Sequence, residues 1–166
     1  MLSMLLGCAI MGQGLPPPRR VIEGERLIDA ASITEGTLIH QDMTEFGPDW
    51  GGNAQLYWAI HQVGARLVLR TEVTRGGRYD VYINFTQAPD YAQVGVRLGR
   101  GPARTFDGHA STVRVFRFRL GTADLNPGPL QLTITVTGKN KVSSDYYVGV
   151  DRIELIPVKA RPPRSL

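Results

Sequence analysis

The chain is 166 residues long and 42% hydrophobic, with 19 Lys+Arg against 15 Asp+Glu and one cysteine, Cys8. That length suits one domain with a substantial core, and a lone cysteine excludes an intrachain disulfide and a cysteine-rich zinc site. The net charge of +4 is no nucleic-acid signature: Arg19, Arg20, Lys159, Arg161 and Arg164 occupy two tails without acidic residues, leaving 14 basic against 15 acidic side chains over residues 21–157.

Met1 to Met11 is almost wholly apolar but too short to span a bilayer. Leu5-Leu6-Gly7-Cys8 matches the box that precedes a lipidated cysteine in bacterial lipoproteins. A basic start and a longer apolar stretch are missing from an export signal. Two expectations stand: a misplaced or truncated start on a secreted, periplasmic or cell-surface protein with Cys8 as its lipid attachment point, or an accidental match. Gly12-Gln13-Gly14 and Pro16-Pro17-Pro18 form a linker, the prolines favouring an extended polyproline segment. Residues 1–20 thus read as leader and linker, 21–157 as one folded module, and 158–166 as a basic, proline-containing tail.

Within the module, Val21–Ile28 and Leu38–Met43 are predicted strands, and Gly47-Pro48-Asp49 marks a turn before Trp50-Gly51-Gly52-Asn53. Gln55–Ile60 returns to strand, with Leu56 and Trp58 on one face and Tyr57 on the other. Arg66–Thr74 and Arg78–Thr86 flank Arg75-Gly76-Gly77, which predicts a hairpin. Tyr79, Val81, Ile83 and Phe85 alternate with polar neighbours, the period of a strand with one buried face. Gln93–Leu98 alternates again. Val113 and Val115 are out of phase with Phe116, Phe118 and Leu120, so a bulge is expected between the two sets. Arg114, Arg117 and Arg119 read as the solvated face of that strand. Leu130–Val136 and Tyr146–Ile156 complete eight or nine strands without a useful amphipathic helix. The predicted fold is all-β, an antiparallel β-sandwich of jelly-roll type.

No catalytic apparatus is legible. His40, His61 and His109 are isolated from one another and lack metal-ligand spacing. Ser143-Ser144 sits in a polar loop rather than a nucleophile elbow, and Gly99-Arg100-Gly101 leads into Pro102 rather than a helix, so no phosphate loop is present.

The order IEGERL, WGGNAQLYW, RGGRYDVYINFTQAPDYAQVGVRLG and TITVTGKNKVSSDYYVGVDRIEL resembles carbohydrate-binding modules of the family 6 and family 35 kind. These are the galactose-binding-like sandwiches appended to bacterial glycoside hydrolases. The likeness spans roughly residues 21–157. It implies a jelly roll, non-catalytic binding of a glycan, a structural calcium ion and a linked catalytic domain. Carried across, the family's acidic pair matches Glu23 and Glu25, and its C-terminal acid matches Asp151. Glu23 and Glu25 are two apart on the predicted first strand, so both point to one face, and carboxylates are the hard oxygen ligands calcium prefers. For the sugar, Trp50, Asp90, Tyr91 and Asn140 are the candidate contacts, since loops on a rigid sheet present aromatic faces and hydrogen-bonding groups. The alternative is a structural or protein-interaction sandwich without sugar affinity.

Overall fold

Residues 17–158 are described by the structure, a computed structural model; the leader-like segment with Cys8 and the tail from Lys159 lie outside the described residues. The alternating sequence segments form two antiparallel sheets. One runs β3 (Thr37–Asp42), β4 (Ala54–Ala59), β11 (Val148–Pro157), β6 (Gly77–Gln87), β9 (Arg114–Leu125), with β1 (Arg20–Glu23) also paired to β11. The other runs β2 (Ser32–Ile33), β5 (Arg66–Val73), β10 (Gly128–Lys139), β7 (Ala92–Leu98), β8 (Arg104–Asp107). Both inner faces are apolar. Leu56, Trp58, Ile83, Phe85, Ile153 and Leu155 from the six-stranded sheet meet Leu67, Leu69, Val96 and Ile134 from the five-stranded one, all essentially without solvent exposure. Burying each such side chain contributes about 1.5–3 kcal/mol.

Three strand expectations are corrected. The Arg75-Gly76-Gly77 turn does not close a hairpin: β5 pairs with β10 and β2, whereas β6 pairs with β11 and β9. The turn instead carries the chain from one sheet to the other, because the apolar faces of β5 and β6 look at each other across the core. Strand character at Val21–Ile28 stops at Glu23, and Gly24–Ala30 winds into a 3-10 turn. Gly24 fits there because a Cβ would collide with the Val150 carbonyl. The register shift in β9 lies opposite Val81/Tyr82, at Leu120 rather than between Val115 and Phe116.

The last strand organises the site region. Its first residues, Val148–Val150, pair with β4, and Arg152–Leu155 pair with β1 along the same edge. Between them the register against β6 shifts at Val150/Arg152. Val148 and Val150 face the core before that bulge, Ile153 and Leu155 after it, and Asp151 is left buried at the junction.

Candidate functional site

Tyr57 stands on the outer face of β4, opposite Gly149 of β11. A glycine is required there because the Gln55 carboxamide and Thr86 already fill the space a Cβ would take. Tyr147, two residues before it, brings its ring centroid to 5.4 Å from that of Tyr57, and Tyr91 lies at 6.3 Å. His61 packs edge-on against Tyr147 at 5.2 Å and its Nδ1 is 2.6 Å from Asp145 Oδ1. The β6–β7 loop adds Asp90 and Tyr91, tied to the β10–β11 loop by backbone bonds from Tyr147 N to Asp90 O and from Ala92 N to Tyr147 O. A cleft of about 120 Å³ runs beside these groups, with Gln41, Phe46, Tyr57 and Asp90 on its walls. A larger slot of about 240 Å³ between Val81, Leu98, Pro102 and Leu120 has no aromatic or charged lining, and suits a polyhydroxylated ligand poorly.

The cleft floor is a buried polar relay. Trp50 Nε1 donates to Thr86 Oγ1 at 2.8 Å, and the Thr86 hydroxyl donates to Gln55 Oε1. Gln55 Nε2 in turn donates to Gln41 Oε1 at 2.7 Å and to the Tyr91 hydroxyl at 3.2 Å. No buried side-chain polar atom of that relay lacks a partner, as buried polar groups require.

Electrostatics follow from this packing. Burial raises the Tyr57 and Tyr91 phenols above their ordinary value, and neighbouring Tyr91, Tyr147, Asp90 and Asp145 push Tyr57 the same way. Burial also raises Asp90, with the Asp145 charge adding to it. Burial pulls Asp145 upward too. Hydrogen bonds from His61, the Tyr146 amide and Tyr147 outweigh that and hold it below the usual carboxylate range.

The expected binding residues are therefore only partly assembled. Asp90 and Tyr91 share the tyrosine cluster, although Tyr91 is buried. Trp50 is 3% exposed and serves the floor, so its indole offers no open face to a ligand. Asn140 donates to Asp107 Oδ2 at 3.1 Å, alongside Gln93, and is held away from the cleft. Tyr57, Tyr147, Asp145 and His61 were not singled out as binding residues. The outward phase of Tyr57 against Leu56 and Trp58 was the one available signal.

The three acids at the chain ends border one turn. The Gly51 amide donates to Asp151 Oδ1 at 2.7 Å. A Cβ on Gly51 would strike the Glu23 carboxylate, and one on Gly52 would touch that of Glu25. Glu23 Oε2, Glu25 Oε2 and Asp151 Oδ2 are each buried without a hydrogen bond. Arg152 Nη1 is 3.2 Å from Asp151 Oδ2, near enough to attract but not aligned to donate. Burial pushes Asp151 up to about 6; the Gly51 amide and Arg152 oppose the rise, and the Glu23 and Glu25 charges reinforce it. Among the described residues no three Asp, Glu, His or Cys side chains already meet as a closed metal cluster. Three orphaned carboxylate oxygens around one glycine turn nonetheless fit a hard cation that also takes backbone carbonyls.

No family model and no curated protein matches the sequence. Solved structures do match. A xanthan lyase from Paenibacillus superposes with a TM-score of 0.71 at 22% identity, over 88% of this chain and 14% of the lyase. A GH26-CBM35 β-(1,4)-mannanase from Podospora anserina gives 0.56 at 20% identity, over 87% and 29%. A family 35 carbohydrate-binding module from Clostridium thermocellum gives 0.52 at 13% identity, over 85% of this chain and 99% of the module. This chain thus spans a small part of the lyase and the mannanase but the whole of the isolated module. It has the β-sandwich fold of family 35 carbohydrate-binding modules.

Proposed function

We propose that the protein is a non-catalytic carbohydrate-binding module that takes its glycan on the Tyr57–Tyr147 surface. The observation that carries this reading is the pair of half-buried tyrosines flanked by Asp90 and Asp145 at the loop end of the sandwich. Tyrosine faces cover the apolar C–H patches of a sugar ring, while carboxylates and the Gln41 amide accept and donate to its hydroxyls. The Trp50–Thr86–Gln55 relay keeps these groups in place before binding, which lowers the entropic cost of association.

Glu23, Glu25 and Asp151 would hold a calcium ion. Its charge would neutralise three carboxylates and tie the turn after β1 to the Gly51 loop and β11. The module would act joined to a catalytic domain of an exported protein, anchored through Cys8, raising the local concentration of substrate through tethering. Support comes from the lyase and mannanase, in which this fold occupies a minor share of a longer chain.

A glycan array tests the reading. The wild-type protein is expected to bind at least one neutral polysaccharide, and Tyr57→Ala or Tyr147→Ala to weaken that binding about tenfold or more, the effect of losing one aromatic anchor. Silence of the wild-type protein across the array, or unchanged binding in both variants, would refute it.

A further inference from the structure

We propose that the outer face of the six-stranded sheet carries a second binding surface, for a sulfated polysaccharide, built on Arg19, Arg117, Arg119 and Arg152. The arginines of β9 are not bare solvated charges. Across the strands, Asn84 is opposite both Arg117 and Arg152, and Tyr82 is opposite both Arg119 and Glu154. Glu154 lies at the bottom of the group with its side chain 3% exposed. Its Oε1 accepts from Asn84 Nδ2 at 2.7 Å; its Oε2 accepts from Arg117 Nη2 at 2.9 Å and Arg19 Nη2 at 3.2 Å. Arg152 Nε is 3.6 Å from Oε1. The Arg117 guanidinium lies 3.6 Å over the Tyr82 ring, and Arg119 donates to Asp80 at 2.7 Å and to Thr122 at 2.8 Å.

One buried carboxylate thus pins several guanidiniums from below, while Arg19, Arg117 and Arg119 keep 61%, 44% and 48% of their side chains in solvent. Four guanidiniums face Glu154 and Asp80, and a positive surplus remains even when Asp151 is counted against Arg152. Each guanidinium has five N–H donors, and Arg19 and Arg117 each spend one on Glu154. The remaining donors are fixed in place by the ion pairs and by stacking on Tyr82, so an anion meets a preorganised surface.

The donor arrangement selects the anion. Arg19 and Arg117 already crowd a single carboxylate oxygen, and the cluster offers more N–H groups than a two-oxygen planar carboxylate can use. A sulfate ester supplies three acceptor oxygens, and guanidinium is the weakly hydrated cation that pairs with such oxyanions. Arg117 and Arg119 stand two residues apart on one face, about 6–7 Å along the strand. A row of charges at that spacing suits a polymer with repeated sulfate groups better than a single small ion. None of these arginines lines the tyrosine cleft.

The test is affinity electrophoresis and calorimetric titration of the whole protein with dextran sulfate, unsulfated dextran, polygalacturonate and single-stranded DNA. The expected result is retention by dextran sulfate about tenfold stronger than by polygalacturonate or DNA at equal charge, and none by dextran. Arg19→Ala, which removes a largely exposed side chain, should weaken it several-fold. Arg117→Lys, which keeps the charge and loses the fork, should do the same, and Tyr57→Ala should leave it unchanged. Equal retention by all three polyanions would reduce the surface to generic charge and overturn the proposal. So would absence of dextran sulfate binding, or binding indifferent to both arginine changes.

Discussion

At the scale of single residues, two buried carboxylates respond to pH in opposite senses. Asp151 is raised from 3.8 to about 6 by burial, so the folded protein holds its proton more tightly than the unfolded chain does. Its contribution is fully present below about pH 4 and is lost as pH rises through about 6, reaching about 3 kcal/mol of destabilisation by pH 7 in the absence of a cation. Asp151→Asn keeps the acceptor for the Gly51 amide and removes the charge. Thermal unfolding in chelator should therefore show the variant more stable than wild type at pH 7 and equal to it at pH 4; equal midpoints at both pH values would contradict the assignment. Glu154 behaves the other way. Its burial is outweighed by hydrogen bonds from Arg117 and Asn84 and by the Arg117 and Arg19 charges, which hold it down at about 2. Its stabilisation is complete above about pH 4.5 and fades as pH falls toward 2. Tyr57 carries no comparable ion pair, and Tyr147 adds only its hydrogen bond to Asp145, so thermal unfolding of each alanine variant should accompany its binding assay.

At the scale of elements, the bulge in β11 sets the site. It turns Asp151 toward the Gly51 loop and reverses the phase of the strand, so that Arg152 and Glu154 face outward. The turn after β1 closes against it at Gly24, where a methyl would press on the Val150 carbonyl. Gly24→Ala should cost about 1–3 kcal/mol, the range for forced overpacking, read as a lower denaturation midpoint; an unchanged midpoint would show that the turn relaxes freely. The same elements show what a linear reading can reach. Alternation located β4, β6, β7 and β10 because a half-buried strand imposes a period of two on its own residues. It could not say which strands are neighbours. The Gly76-Gly77 signal is compatible with a hairpin or with a passage between sheets, and the choice depends on where β10 and β11 dock. The cleft divides along the same line. Asp90 and Tyr91 follow a local turn signal at Pro89, whereas Tyr57 meets Tyr147 only through the distant pairing of β4 with β11. Trp50 looked like a loop aromatic free to bind, but Thr86, 36 residues away, claims its indole.

At the scale of the molecule, both described chain ends belong to one sheet, with β1 and β4 lined up along β11. A cation shared by Glu23, Glu25 and Asp151 would clamp that junction. Millimolar calcium at pH 7 should raise the unfolding temperature by several degrees, since binding to the folded state alone adds about 2.7 kcal/mol at a hundredfold excess over Kd. Asp151→Asn should abolish that rise, and an equal rise in the variant would move the ion elsewhere. Glycan binding at the tyrosine cluster is the central claim, and an amide NMR titration with a polysaccharide that scores on the array tests it most directly. The account predicts saturable shifts concentrated at Tyr57, Asp90, Asp145 and Tyr147, with β2 and β5 silent. Shifts that gather instead around Val81, Leu98 and Leu120, or that never saturate, would contradict it.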